Sequence, residues 1–115
     1  MEIVDTLIAG YAHPDIALNC GSMVRECTRH DAIVRAILFS DNIWLFFQRY
    51  VHMPNFEVSA DAFATLRELL TRKKAVVCEF LEDRYDQVFE AYDVLLSSDN
   101  YVTRRQSLKL LGELL

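Results

Sequence analysis

Glycine and proline are scarce, three and two in 115 residues. There is no glycine-rich phosphate loop and no nucleophile elbow. Cysteine is also scarce: Cys20, Cys27 and Cys78. An odd count without a secretory context argues against a disulfide framework, so reduced thiols in the cytosol or nucleus are expected. On one helix Cys20 and Cys27 share a face about 10 Å apart along the axis, beyond disulfide reach. No apolar run approaches the ~18 residues of a membrane span. The start, Met1 to Asp5, lacks the basic and apolar regions of a secretory signal. Positive charge is short as well. Twelve Lys and Arg face 17 Asp and Glu, giving a net charge of −5. That balance argues against a general nucleic-acid binder.

What the chain does have is apolar residues, 52% of the total, with 11% aromatic. Disorder is excluded, because such a chain has ample surface to bury. One domain is expected over 1–115, burying about two-thirds of its unfolded surface. Apolar residues recur at three and four, the helical period. The pattern predicts eight helical segments near 2–11, 15–29, 31–39, 42–52, 56–73, 74–82, 84–97 and 101–115. Pro14 suits a first helical turn, and Asp15 adds a favourable negative charge there. Asn55, Asn100 and Asp41 are the expected N-caps.

The chain also repeats itself. DIALNCGSMVRECTRH (15–30) aligns with EVSADAFATLRELLTR (57–72), placing Val24 on Leu66, Arg25 on Arg67, Glu26 on Glu68 and Cys27 on Leu69. The second segment aligns with YVTRRQSLKLLGELL (101–115), placing Phe56 on Tyr101, Phe63 on Leu108, Leu66 on Leu111 and Glu68 on Glu113. Before them, NIWLFFQRYV matches DQVFEAYDVLL, with Trp44 on Phe89 and Phe47 on Tyr92. A period of ~40–47 residues with two or three helices per unit is the HEAT or armadillo signature. The expected fold is all-α: an armadillo/HEAT-like helical-repeat solenoid, a right-handed superhelix. The chain stops at LLGELL without a polar closing helix, which solenoid ends need. The expectation is an internal fragment of a longer solenoid, prone to self-association through its uncapped ends.

Catalytic constellations are missing. Asp83 and Asp86 lie three apart, but a solvated helix start explains them. Cys27 and His30, with His13 and Cys20, do not make four zinc ligands at recognised spacings. No run has the alternating oxygens and central Gly of a calcium loop. No enzyme, cofactor or metal is expected.

Two basic clusters stand out, Arg72-Lys73-Lys74 and Arg104-Arg105 with Lys109. The first reads as a solvated helix end. On the last segment Tyr101, Arg105 and Lys109 lie four apart and form one stripe. The core stripe there reads Val102, Leu108, Leu111, Leu114 and Leu115. The equivalent stripe on the previous unit is Phe56, Ala60, Ala64 and Arg67. Exposed aromatics and arginines dominate binding hot spots, so Phe56, Tyr101, Arg105 and Lys109 are the candidate partner-binding residues. A competing ladder of Asn19, Asp61 and Gln106, aligned between units, would instead grip a peptide backbone. That alternative is an assembly module binding an unrelated extended or helical peptide.

IALNCGSMVRECTRH, FFQRYV, SADAFATLRELLTRKK and NYVTRRQSLKLLGELL resemble the Mo-twenty-five family, also called calcium-binding protein thirty-nine. The resemblance runs from Tyr11 to Leu115. It implies a non-catalytic, cytoplasmic, armadillo-type scaffold. It also implies a protein partner, a STRAD-type pseudokinase assembled with an LKB-type kinase, or germinal-centre kinases, held in the active conformation. No nucleic acid or membrane partner is implied. The family's concave contact positions match Phe56, Tyr101, Arg105 and Lys109. Family members are about three times longer, and their pocket for a Trp-containing tail peptide lies beyond this chain. Two departures are an Arg at 104, where Lys is common, and one extra residue near Gln48.

Overall fold

The computed structural model describes residues 2–114, with side chains over 4–113. All regular structure among the described residues is helical. Eight α-helices follow in order: α1 (Glu2–Ala9), α2 (Pro14–Cys27), α3 (Asp31–Leu38), α4 (Asn42–Gln48), α5 (Phe56–Thr71), α6 (Lys74–Asp83), α7 (Tyr85–Leu96) and α8 (Tyr101–Leu114). Two 3₁₀ turns, Gly10–Ala12 and Tyr50–His52, lead into α2 and α5.

Local chemistry sets most boundaries. Pro14 opens α2, where a missing N–H costs nothing, and Asp15 sits in the first turn. Asn55 Oδ1 accepts the Val58 N–H at 3.2 Å and so caps α5. Asn100 Oδ1 accepts the N–H groups of Val102 and Thr103 at 2.9 and 3.3 Å and caps α8. The expected cap Asp41 makes no such bond. Its backbone is already helical, with φ −68° and ψ −16°, so its carboxylate is not turned toward the orphan donors. Ser40 does this work, its Oγ accepting from Asn42 N–H at 3.2 Å while donating to the Ile37 carbonyl at 2.9 Å.

The helix expected over 42–52 stops at Gln48. Arg49, at φ −126° and ψ −58°, leaves the helix and a 3₁₀ turn follows. The tighter turn buries two successive large side chains, Tyr50 and Val51. His52 Nε2 lies 3.1 Å from the Phe47 carbonyl at the broken end. The expected first segment divides in the same way, and its turn buries Tyr11 completely. The sequence helix–3₁₀ turn–long helix therefore occurs twice, over 2–27 and 42–71.

The core is one cluster running the length of the molecule. Tyr11 packs edge-on against Phe46 at 5.5 Å and lies over Tyr50 at 5.3 Å. Further along, Phe47 meets Tyr92 at 6.2 Å and Trp44 meets Phe80 at 6.1 Å. The overall extents are 35 × 34 × 20 Å. Neighbouring units stack like on like: α2 on α5 on α8, α3 on α6, and α4 on α7.

The last helix corrects one expectation. Leu108 and Val102 are exposed and Leu111 is only half-buried, whereas Thr103, Ser107 and Leu110 face the core. Leu114 and Leu115 lie outside the described side chains. Small polar residues serve this face because they let α7 approach. The Tyr92 hydroxyl donates to the Ser107 carbonyl at 2.6 Å, and Ser107 Oγ donates to the Thr103 carbonyl at 2.7 Å. Of the expected stripe, Val102 and Leu108 point outward while Leu111 packs against the core, and the hydroxyls of Thr103 and Ser107 share the buried face because buried polar groups there find hydrogen-bond partners.

Candidate partner-binding surface

The long helices α2, α5 and α8 lie side by side. Arg25 reaches Asp61 and Thr65, and Arg72 Nη1 donates to Thr28 Oγ1 at 3.3 Å. The contacts climb together along α2 and α5, so these helices run parallel. Arg67 continues the pattern onto α8 through a two-pronged bond to Glu113, at 2.8 and 3.0 Å. Arg25 and Arg67, aligned by the repeat, each bridge forward to the next long helix.

The α2–α5 junction holds a polar knot. The Tyr11 hydroxyl donates to Asp61 Oδ2 at 2.7 Å and lies 2.6 Å from Thr65 Oγ1. Arg25 closes it, with Nη2 3.0 Å from Asp61 Oδ1 and Nη1 donating to Thr65 Oγ1 at 2.9 Å. Burial pushes the Tyr11 phenol far above its ordinary value, so it stays a donor. The hydrogen bond to Asp61 raises the Arg25 guanidinium further. Gly21 makes the approach possible. A Cβ there would stand 1.8 Å from Asp61 Oδ2 and 2.3 Å from the Tyr11 hydroxyl.

Between α5 and α8 lies a groove of about 170 Å³, lined by Ala60, Phe63, Ala64, Arg67, Gln106, Lys109, Leu110 and Glu113. Of the four candidate residues it includes Lys109. Arg105 is exposed one turn earlier on α8. Phe56 and Tyr101 occupy the first positions of α5 and α8, with 63% and 66% of their surfaces exposed. Among the described residues neither Arg105 nor Lys109 forms a salt bridge. The surface thus offers two rings, two uncommitted cations and a small-residue floor. The sequence named Gln106 only in the competing ladder and gave Glu113 no place in this groove. The recurring glutamate at 68 and 113 was the available signal, but its arginine lies on another helix.

The competing polar ladder does not form as a set. Asp61 is spent inside the chain on Tyr11 and Arg25, while Asn19 and Gln106 are exposed. Asp83 pairs with Arg84 at 2.8 Å, and Asp86 is exposed. No group of three His, Cys, Asp or Glu that could hold a metal occurs among the described residues. No described helix is long and apolar enough to cross a membrane.

Comparison with known proteins gives the chain its relatives. The Mo25-like family profile matches residues 1–115. The calcium-binding protein 39-like proteins of Mus musculus and Homo sapiens are each 54% identical over 114 residues, covering 99% of this chain and 34% of theirs. The degreening-related gene dee76 protein of Auxenochlorella protothecoides is 52% identical over 114 residues, covering 99% of this chain and 35% of its own. The chain spans about a third of the length of these curated relatives. The profile is that of a non-catalytic scaffold family. With every residue matched and identity above one-half across nearly the whole chain, the chain belongs to the Mo25-like family.

Proposed function

We propose that this chain is a non-catalytic scaffold of 1–115, armadillo/HEAT-like and coiled as a right-handed superhelix. The surface of α2, α5 and α8 forms its concave face. That face binds a STRAD-type pseudokinase, a germinal-centre kinase, or both, and favours the active conformation. The observation that supports this reading is the pairing of exposed rings with uncommitted cations on parallel helices. Phe56 and Tyr101 are desolvated easily by a partner, and Arg105 and Lys109 are free to meet its acidic or hydrogen-bonding groups. A scaffold of this kind activates only by differential affinity: it must bind the active conformation more tightly than the inactive one. The peptide-ladder alternative loses its central member, because Asp61 is committed within the fold.

The test is calorimetric titration of the chain against a purified STRAD-type pseudokinase domain, with and without ATP. Arg105→Ala and Tyr101→Ala run alongside, each checked for native helicity. Binding strengthened by ATP and lost in both folded variants is expected. Binding that both variants retain would overturn the assigned surface.

A further inference from the structure

The equivalent helices α4 and α7 pack against each other, but they differ in length. α4 breaks off at Gln48 after seven residues, whereas α7 runs for twelve, from Tyr85 to Leu96. With Trp44 aligned on Phe89, the turn of α7 that carries Val94 has no turn of α4 beside it. A groove of about 300 Å³ opens there, with Trp44, Gln48, Gln87, Glu90, Ala91 and Val94 along it. It belongs to an interior junction. On its other flank α4 meets α1, where Asn42 Nδ2 donates to Asp5 Oδ1 at 2.6 Å. Helical spacing puts Gln87, Ala91 and Val94 on one side of α7 and Tyr85 and Phe89 on the opposite side, the one a following unit would cover.

We infer that this groove receives an arginine side chain, flanked by apolar residues, from an extended segment of a partner protein. Trp44 supplies an aromatic face. Its ring packs on Phe47 and Phe80 at 6.0 and 6.1 Å and is still half-exposed where it borders the groove. Indole is the strongest aromatic partner for a cation. Glu90 supplies the opposite charge: it is exposed and, among the described residues, forms no salt bridge. α7 carries Asp86, Glu90 and Asp93 and no Lys or Arg. The cation next along the chain, Arg49, lies over the Tyr50 ring at 5.9 Å. A planar guanidinium answers both features, since it stacks on a ring and forks onto a carboxylate, which a compact ammonium does not. The exposed amides of Gln48 and Gln87 each donate and accept, which suits a peptide backbone. Val94, 56% exposed at the groove, suits an apolar neighbour of the arginine. These residues lie on α4 and α7, so the inference is independent of the proposed kinase surface on α2, α5 and α8.

Trp44 is the single tryptophan of the chain, so its fluorescence reports on the groove directly. The probe is the peptide acetyl-Leu-Arg-Leu-Ala-amide, titrated to about 5 mM, the range of weak association. Saturable quenching is expected, and it should weaken with added salt, as exposed charge pairs do. Two changes remove the charge on either side. One is a peptide with citrulline in place of arginine, which keeps the shape. The other is Glu90→Gln in the chain, at an exposed site, with circular dichroism verifying the fold. Each should weaken binding by at least about tenfold, the loss of a hydrogen bond between charged groups. Tyr101→Ala should bind the peptide as the native chain does, which keeps this result separate from that of the kinase surface. A native chain whose fluorescence shows no saturable change overturns the inference. So does a citrulline peptide, or a Glu90→Gln chain, that binds as tightly as the original pair.

Discussion

Gly21→Ala sets two opposed effects against each other, and the structure decides the sign. Gly21 lies mid-helix in α2, where alanine is favoured by about 1 kcal/mol on propensity alone. Against that, the new Cβ would lie 1.8 Å from Asp61 Oδ2, 2.3 Å from the Tyr11 hydroxyl and 3.0 Å from Asp61 Cγ. Neither neighbour can give way cheaply. Tyr11 is fully buried in an aromatic cluster, and Asp61 is held by both Tyr11 and Arg25. Rotating Asp61 away forfeits a hydrogen bond to a charged group, worth about 2 kcal/mol. It also loosens the Arg25 pair, which is partly exposed and contributes about 1 kcal/mol after solvent screening. The net expectation is destabilisation by about 2 kcal/mol. With an unfolding entropy of about 2.1 cal/mol/K per residue, that lowers Tm by about 8 °C. Urea unfolding followed by helicity gives the free energy, and calorimetry gives Tm. The decisive control repeats the change in a Tyr11→Phe/Asp61→Ala background, where the obstacles are gone. There Gly21→Ala should be neutral or stabilising. A rise in Tm in the native background, or an equal loss in both, would refute the argument that this glycine exists for the polar knot.

Three further outcomes follow from the same geometry. Ser40→Ala should cost about 1 kcal/mol through loss of the α4 cap, while Asp41→Ala leaves the urea midpoint nearly unchanged; the reverse order would restore Asp41 as the cap. Stability should fall steeply above pH 10, the ordinary tyrosine value. There the unfolded chain releases phenolic protons that burial makes folded Tyr11 and Tyr92 keep, so the native state binds more protons and each loses about 1.4 kcal/mol per pH unit. Urea midpoints from pH 8 to 11 check this, with a shallower slope expected for Tyr11→Phe. Arg67→Ala should cost less than about 1 kcal/mol despite its two-pronged bond to Glu113, because that pair is solvent-exposed. A loss above about 2 kcal/mol in urea unfolding would mean the bridge carries the α5–α8 junction.

The sequence by itself determined the helical class, the positions of the eight helices to within a few residues, and the pairing of equivalent units. These follow from local signals: the 3.6-residue spacing of apolar side chains, Pro14 at a helix start, and Asn55 and Asn100 as caps. It also placed Phe56 and Tyr101 at helix starts, where exposure follows from their position outside the buried stripe. Tertiary structure alone decided the rest. Whether Asp41 or Ser40 caps α4 depends on backbone angles. The break at Arg49 answers the need to bury Tyr50 and Val51 together, which local propensity does not encode. The buried face of α8 runs through Thr103 and Ser107, because what counts there is close approach to α7 and a hydroxyl's access to a carbonyl. The knot of Tyr11, Arg25, Asp61 and Thr65 joins residues up to 54 positions apart, and its reason for a glycine at 21 lies on a different helix. Local chemistry is written along the chain, whereas contacts between units are fixed only when one helix is laid against another.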